Sequence, residues 1–77
     1  MSATESCDNA IIQFLLNHTS IGGISRDYII YGLNRKYPEQ MIGKRLNRLV
    51  EKQVVKAVLG NYSHTVKYRL NKNRRYF

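Results

Sequence analysis

Cysteine is nearly absent from this sequence, since Cys7 is the only one among 77 residues. A single cysteine cannot form an intramolecular disulfide or a cysteine-based zinc site, and a reducing compartment fits such a chain best. The two histidines, His18 and His64, fall in predicted loops, without metal-ligand spacing and without a nearby serine or cysteine arrangement for nucleophilic catalysis. We therefore expect no metal, no cofactor and no enzymatic activity.

Long hydrophobic runs are missing as well. The longest apolar stretches, such as Phe14-Leu15-Leu16, are far below the roughly 20 residues needed to cross a bilayer. Glu5 and Asp8 stand where a secretory signal has a basic region. We expect no membrane segment and no signal peptide.

A chain of this length also has room for one domain only, and so small a scaffold leaves no deep cleft.

Acidic residues are scarce, with five Asp and Glu against 13 Lys and Arg. Residues 1–39 carry three basic and four acidic side chains, whereas residues 40–77 carry ten basic ones and only Glu51, a net charge of +9. A positive field concentrated on one half favours a polyanion, because neutralising phosphates releases condensed counterions. Nucleic acid is thus the first candidate partner, and a merely solvated basic surface is the alternative.

The spacing of apolar residues predicts three helices. They cover about Glu5–Asn17, Arg26–Lys36 and Glu39–Lys52. Thr4 or Ser6 is expected to cap the first helix and Ser25 the second. The only proline, Pro38, separates the last two helices and suits the first position of the third. Gly32 either weakens the second helix by about 1 kcal/mol relative to alanine or permits a close helix contact, and the sequence leaves both interpretations open.

After Gln53 the apolar period changes to two, which predicts strands over Val54–Leu59 and Thr65–Leu70 around a polar turn. A hairpin of two strands is marginal alone, so its apolar face is expected to pack on the helices. The predicted fold is α+β. It is a winged helix-turn-helix over residues 1–70, with three helices followed by a two-stranded β-hairpin wing, and residues 71–77 form a basic flexible tail.

In a winged helix the third helix enters the major groove and the hairpin contacts the flanking backbone. The predicted nucleic-acid contacts are Gln40, Lys44, Asn47 and Arg48 on the third helix, Lys56, His64, Lys67 and Arg69 on the hairpin, and Arg74 and Arg75 in the tail. An ordinary solvated helix face, and edge-strand charges that discourage aggregation, are the alternatives. Glu51 argues slightly against DNA, because its carboxylate repels phosphate. The six tyrosines could stack on unpaired bases, although we expect most of them to be packing residues.

The sequence resembles the globular domain of linker histones over about residues 8–72. The resemblance rests on Gly22-Gly23-Ile24-Ser25-Arg26, Lys44-Arg45-Leu46-Asn47-Arg48-Leu49-Val50, Val54-Val55-Lys56 and Lys67-Tyr68-Arg69-Leu70. It implies a nuclear domain seated on double-stranded DNA at the nucleosome, with Arg48 and Lys56 on one surface and Arg26 and Arg69 on an opposite one.

The chain departs from the linker-histone pattern at four positions. Asn34, Gly43 and Asn47 stand where basic residues are usual, and Gln53 replaces a glycine. A weaker resemblance is to Z-DNA-binding winged helices. It rests on Lys44, Asn47 and Arg48, but Glu51 holds the position of that family's tyrosine and the Pro-Pro-x-Trp element is missing.

The leading hypothesis is a monomer that binds duplex DNA with little sequence preference, as a chromatin or architectural protein. A protein–protein interaction module of a larger assembly and a structural RNA-binding winged helix of the ribosomal type are the alternatives.

Overall fold

Three helices and three short strands make up the fold. The computed structural model describes residues 3–18, 23–59 and 66–71. In chain order the elements are α1 (Ala3–Asn17), β1 (Ile24–Ser25), α2 (Arg26–Leu33), α3 (Glu39–Glu51), β2 (Val55–Leu59) and β3 (Val66–Leu70). The α+β class and the three helices of the sequence prediction are confirmed.

The sheet differs from the prediction, because it has three antiparallel strands in the order β1-β3-β2 rather than two. Ile24 pairs with Tyr68 and Ser25 with Lys67, which adds a strand to the far side of β3. A strand of two residues is too short to show an alternating pattern, so the sequence gives no signal for it. Because β1 pairs with β3, it places the start of α2 beside the middle strand of the sheet.

The helix ends differ from the expected ones in small ways. The predicted cap of α2 is confirmed, since the Ser25 hydroxyl accepts a hydrogen bond from the Tyr28 amide at 3.3 Å. α2 ends at Leu33 rather than Lys36, and the following Asn34 amide still donates to Ile30 at 2.8 Å. α2 therefore has 8 residues, fewer than predicted.

The start of α1 lies earlier than predicted. The helix begins at Ala3, so Thr4 and Ser6 lie inside it rather than capping it. The hydroxyl of Ser6 is hydrogen-bonded to the hydroxyl of Tyr37 instead, which links α1 to the segment before α3. Pro38 is the N-cap of α3 in an extended conformation, and the first helical position belongs to Glu39.

One apolar core lies between the helices and the inner face of the sheet. Its largest fully buried side chains come from all three helices and from β2: Ile11, Ile29, Ile42, Leu46, Val55 and Cys7. Tyr68 of β3 closes this core with an exposed fraction of 8%. Because these apolar residues face inward, the polar side chains of α3 and of the sheet are left on the outside.

Gly32 marks a close contact between α1 and α2. A Cβ atom built at Gly32 would lie 2.2 Å from Cε2 of Phe14, closer than any real side chain permits. The ring of Phe14 therefore occupies the space that a larger residue would need, and it also stacks on His18 with a centroid distance of 4.1 Å. Of the two interpretations that the sequence left open, the structure supports the close helix contact.

Asn71 is hydrogen-bonded to the segment that precedes β2. Its amide nitrogen donates to the Val54 carbonyl at 3.0 Å, and its Nδ2 donates to the Gln53 carbonyl at 2.9 Å. These bonds anchor the first residue of the predicted tail to the chain that enters β2. The rest of the predicted tail, residues 72–77, lies outside the described residues, as do Thr65 and the residues of the predicted turn.

Candidate nucleic-acid interface

Three cations share the outer face of the sheet. In the antiparallel register Lys56 lies directly opposite Arg69, and Lys67 lies opposite Val58 on one side and Ser25 on the other. Side chains alternate along a strand, and Tyr68, between Lys67 and Arg69, is buried on the inner face. Lys56, Lys67 and Arg69 therefore face outward together. We call this set the sheet cations.

The sheet cations repel one another. Residues directly opposite in an antiparallel pair have Cβ atoms about 4.5–5.5 Å apart, and like charges at such positions are destabilising. The three strands contain no aspartate or glutamate, and no ion pair in the described part of the chain includes a sheet cation. Within the described residues, positive charge therefore accumulates on this face without a carboxylate partner.

The outer face of α3 carries donors and charge. Ile42, Leu46 and Leu49 are buried, and the opposite side of the helix is exposed. The exposed residues include all four predicted contacts on this helix: Gln40, Lys44, Asn47 and Arg48. Gln40, Lys44 and Asn47 follow one another at spacings of four and three, so they form one stripe along the helix.

Within the described residues, Arg48 is the one predicted contact on α3 that forms an ion pair. Its Nη1 lies 3.1 Å from Oε2 of Glu51, and both side chains are more than half exposed. An exposed pair of this kind is worth little and opens readily, so Arg48 remains available to another anion. The carboxylate of Glu51 lies on the same helix face and lowers the local positive potential.

Arg45 has a different role from the other basic residues of α3. Its Nε and Nη2 each lie 2.7 Å from a carboxylate oxygen of Asp8 on α1. The hydrogen bond to Asp8 raises the pKa of Arg45 further, and the side chain is only 22% exposed. This guanidinium joins two helices and is withdrawn from the outer face.

Arg26 lies against α3, which sequence reasoning did not anticipate. Its Nη2 atom lies 2.4 Å from the point where a Cβ of Gly43 would be. The linker-histone resemblance places Arg26 and Arg69 opposite Arg48 and Lys56, but Arg26 contacts the helix of Arg48, and Arg69 stands beside Lys56. The division into two opposite surfaces therefore does not hold for Lys56 and Arg69, which share one face of the sheet.

The remaining predicted contacts, His64, Arg74 and Arg75, lie outside the described residues. Within residues 3–18, 23–59 and 66–71, no group of three His, Cys, Asp or Glu side chains is placed to hold a metal ion. In the same ranges no helix combines the length and the apolar character that a membrane span needs.

The tyrosines only partly follow the expectation that most of them pack. Among those in the described part of the chain, Tyr68 is buried and Tyr37 is half-buried, whereas Tyr28 and Tyr31 on α2 are 50% and 77% exposed. Tyr28 nevertheless contacts the rings of Phe14 and His18, each with a centroid distance of 5.7 Å. Tyr62 and Tyr76 lie outside the described residues.

Comparisons of the chain with protein-family models, with curated proteins and with solved structures found no match.

Proposed function

We propose that this chain is a winged-helix domain that binds double-stranded DNA with little sequence preference. The order of elements supports the fold assignment: a helix, a short strand, two further helices, and two longer strands that complete one sheet. In this arrangement α3 is the recognition helix, and β2 and β3 form the wing beside it.

The observation that carries the proposal is the unneutralised charge of the sheet. Placing Lys56 opposite Arg69 costs stability, and one acidic residue at either position would remove that cost. A phosphate backbone removes it equally, since each neutralised phosphate releases counterions and adds affinity without base reading. A strand face whose charged residues are all cations is therefore best explained by a polyanionic ligand.

The α3 stripe supplies the contacts to the groove. Asn and Gln side chains can donate and accept at base edges, and Lys44 adds a flexible charge that reaches base edges or phosphates. Most of the charged contacts are on the wing, which carries no base specificity. Binding is therefore dominated by phosphate contacts and is expected to be strongly salt-dependent.

A titration that compares three competitors tests this function. A labelled duplex DNA of about 20 base pairs is bound at about 50 mM salt and displaced by duplex DNA, duplex RNA or single strands. Duplex DNA should compete best, and the logarithm of the affinity should fall linearly with the logarithm of the salt concentration. Absence of any duplex complex at micromolar protein would refute the proposal. Salt-sensitive association with an acidic protein instead would favour an interaction module.

Single-stranded nucleic acid is a second candidate, favoured by the exposure of Tyr28 and Tyr31. Every base has a face that can stack on an aromatic ring, so such binding tolerates sequence variation. The same titration separates the two functions, because Tyr31→Ala should weaken binding of single strands and leave duplex binding unchanged. A nucleosomal partner and a nuclear location remain predictions from the linker-histone resemblance alone.

A further inference from the structure

Gly43 is an unusual residue for its position. It lies in the middle of α3, where glycine is the least helix-favouring residue apart from proline, and it is buried although its neighbours Gln40, Lys44 and Asn47 are exposed. What covers it is the guanidinium of Arg26: the three heavy atoms nearest to a Cβ built there are Nη2 at 2.4 Å, Cζ at 3.5 Å and Nε at 3.8 Å, all of that side chain.

The Arg26 side chain lies against Gly43 because glycine leaves room for it there. In the described part of the chain it has no carboxylate partner and no hydrogen bond, so its positive charge is unneutralised. Gln40 and Asn47 flank Gly43 at i−3 and i+4, which puts their amide groups one turn to either side on the same helix face. Three donor-bearing side chains thus surround one point on the surface of α3.

We propose that Gly43 is a positioning residue, whose missing side chain seats the Arg26 guanidinium between Gln40 and Asn47 so that the three side chains bind one DNA phosphate. The inference rests on the proposed function and adds this contact to it. A phosphate oxygen pair matches the planar guanidinium in a two-bond geometry, and the amide groups of Gln40 and Asn47 donate to the remaining oxygens. A phosphate also fits the position, because the helix preceding the recognition helix crosses the backbone.

The Arg26 side chain also lies between the two parts of the interface, the sheet cations and the outer face of α3. Ser25 lies opposite Lys67 of the sheet cations, and Arg26 is the next residue along the chain. Since consecutive Cα atoms are about 3.8 Å apart, a side chain that starts beside the sheet and ends on α3 spans the junction between the two. A phosphate held there would lie between the wing contacts and the groove contacts.

The test uses the full chain and the variants Gly43→Ala, Arg26→Ala and the double variant. A methyl group at Gly43 displaces the guanidinium, which is the end of a flexible side chain and moves readily. Gly43→Ala should therefore raise the Tm, because alanine favours the helix, and at the same time weaken duplex binding about tenfold. Arg26→Ala should weaken binding to a similar extent and reduce the salt slope by about 1, equally across DNA sequences. The double variant should be no weaker than either single one.

Arg35→Ala is the matched control, because it removes the same charge from an exposed position beyond the other end of α2. It should change affinity far less than Arg26→Ala does. Wild-type affinity of Gly43→Ala would refute the positioning role of Gly43, and so would additive losses in the double variant. A loss that depends on the base sequence would overturn the phosphate contact. If the wild-type chain binds no duplex, the proposed function itself fails. If the wild-type chain binds and Gly43→Ala binds equally well, only the positioning role of Gly43 fails.

Discussion

Asp8 of α1 and Arg45 of α3 lie side by side, with two nitrogen–oxygen contacts of 2.7 Å each. Both side chains are mostly buried, at 16% and 22% exposure. The pair is therefore partly shielded from solvent, and it joins α3 to α1. None of the residues in the outer stripe of α3 takes part in this contact.

Asp8→Ala should lower the free energy of unfolding by about 1–3 kcal/mol, because the Arg45 guanidinium loses its partner in a partly buried place. Urea unfolding measures the loss. Glu51→Ala is the matched control, since it breaks the other arginine–carboxylate pair of α3, which is exposed and should change stability by less than about 1 kcal/mol. Equal losses in the two variants would contradict the structural role of Arg45.

Removal of the Glu51 charge should tighten duplex binding. Glu51→Gln frees Arg48 from its ion pair and removes a carboxylate that repels phosphate. The expected gain is about two- to fivefold at about 50 mM salt, in line with the small energy of an exposed pair. Part of this gain should persist in an Arg48→Ala background, because the repulsion is independent of Arg48. Unchanged affinity in both backgrounds would place Glu51 outside the interface.

Lys56→Glu should separate stability from binding. An acidic residue opposite Arg69 converts a repulsive cross-strand pair into an attractive one, which adds about 0.2–1 kcal/mol to the free energy of unfolding. The same change removes a phosphate contact and should weaken duplex binding more than tenfold at low salt. Lys36→Glu, at an exposed position after α2, controls for net charge. A variant that is less stable, or binds as before, would contradict the assignment of the sheet cations.

Cys7 should make the domain less stable at alkaline pH. Burial raises the pKa of its thiol, Asp8 raises it further and Arg45 lowers it. The unfolded chain loses this proton at about pH 8.5, whereas the folded chain retains it to higher pH. Above about pH 8.5 the unfolded state thus binds fewer protons, so the free energy of unfolding falls until the folded thiol also ionises. Urea titrations across this range should show the decline.

Cys7→Ala should remove this part of the pH dependence and leave the part due to other groups. A thiol reagent should label wild-type Cys7 far more slowly in the native state than in urea, since the side chain is fully buried. Equally fast labelling in both conditions would show that the thiol is accessible.

The sequence predicts the helices of this fold better than its sheet. α3 is clear because Ile42, Leu46 and Leu49 repeat at helical spacing and are all buried. β1 is missed because its two residues are too few to show a period, and its pairing with β3 is a contact between distant parts of the chain. Gln53 shows another limit: its φ of 65° lies in the region that favours glycine, and only the linker-histone resemblance pointed to that position.

The candidate site is predictable in its residue types and not in its grouping. Charge counting finds Lys56, Lys67 and Arg69, but their common face depends on the register of the sheet. Arg45 and Arg48 look alike in the sequence, and they differ because only Arg45 lies within reach of Asp8. The sequence identifies Arg26 as a basic residue. Its contact with Gly43 cannot be predicted from the sequence, because it depends on how α2 packs against α3.

Gly32 and Gly43 should respond oppositely to alanine, although both are helical glycines. Alanine at Gly32 meets the ring of Phe14 at 2.2 Å and 2.7 Å. The ring also contacts the rings of His18 and Tyr28, so it moves aside less easily than a guanidinium does. Gly32→Ala should therefore lower the free energy of unfolding by about 1–3 kcal/mol despite the better helix propensity of alanine. In a Phe14→Ala background the clash disappears, so the same substitution should become stabilising by up to about 1 kcal/mol. Urea unfolding of the four chains measures this change of sign, and a destabilisation that persists without the ring would show that Phe14 is not its cause.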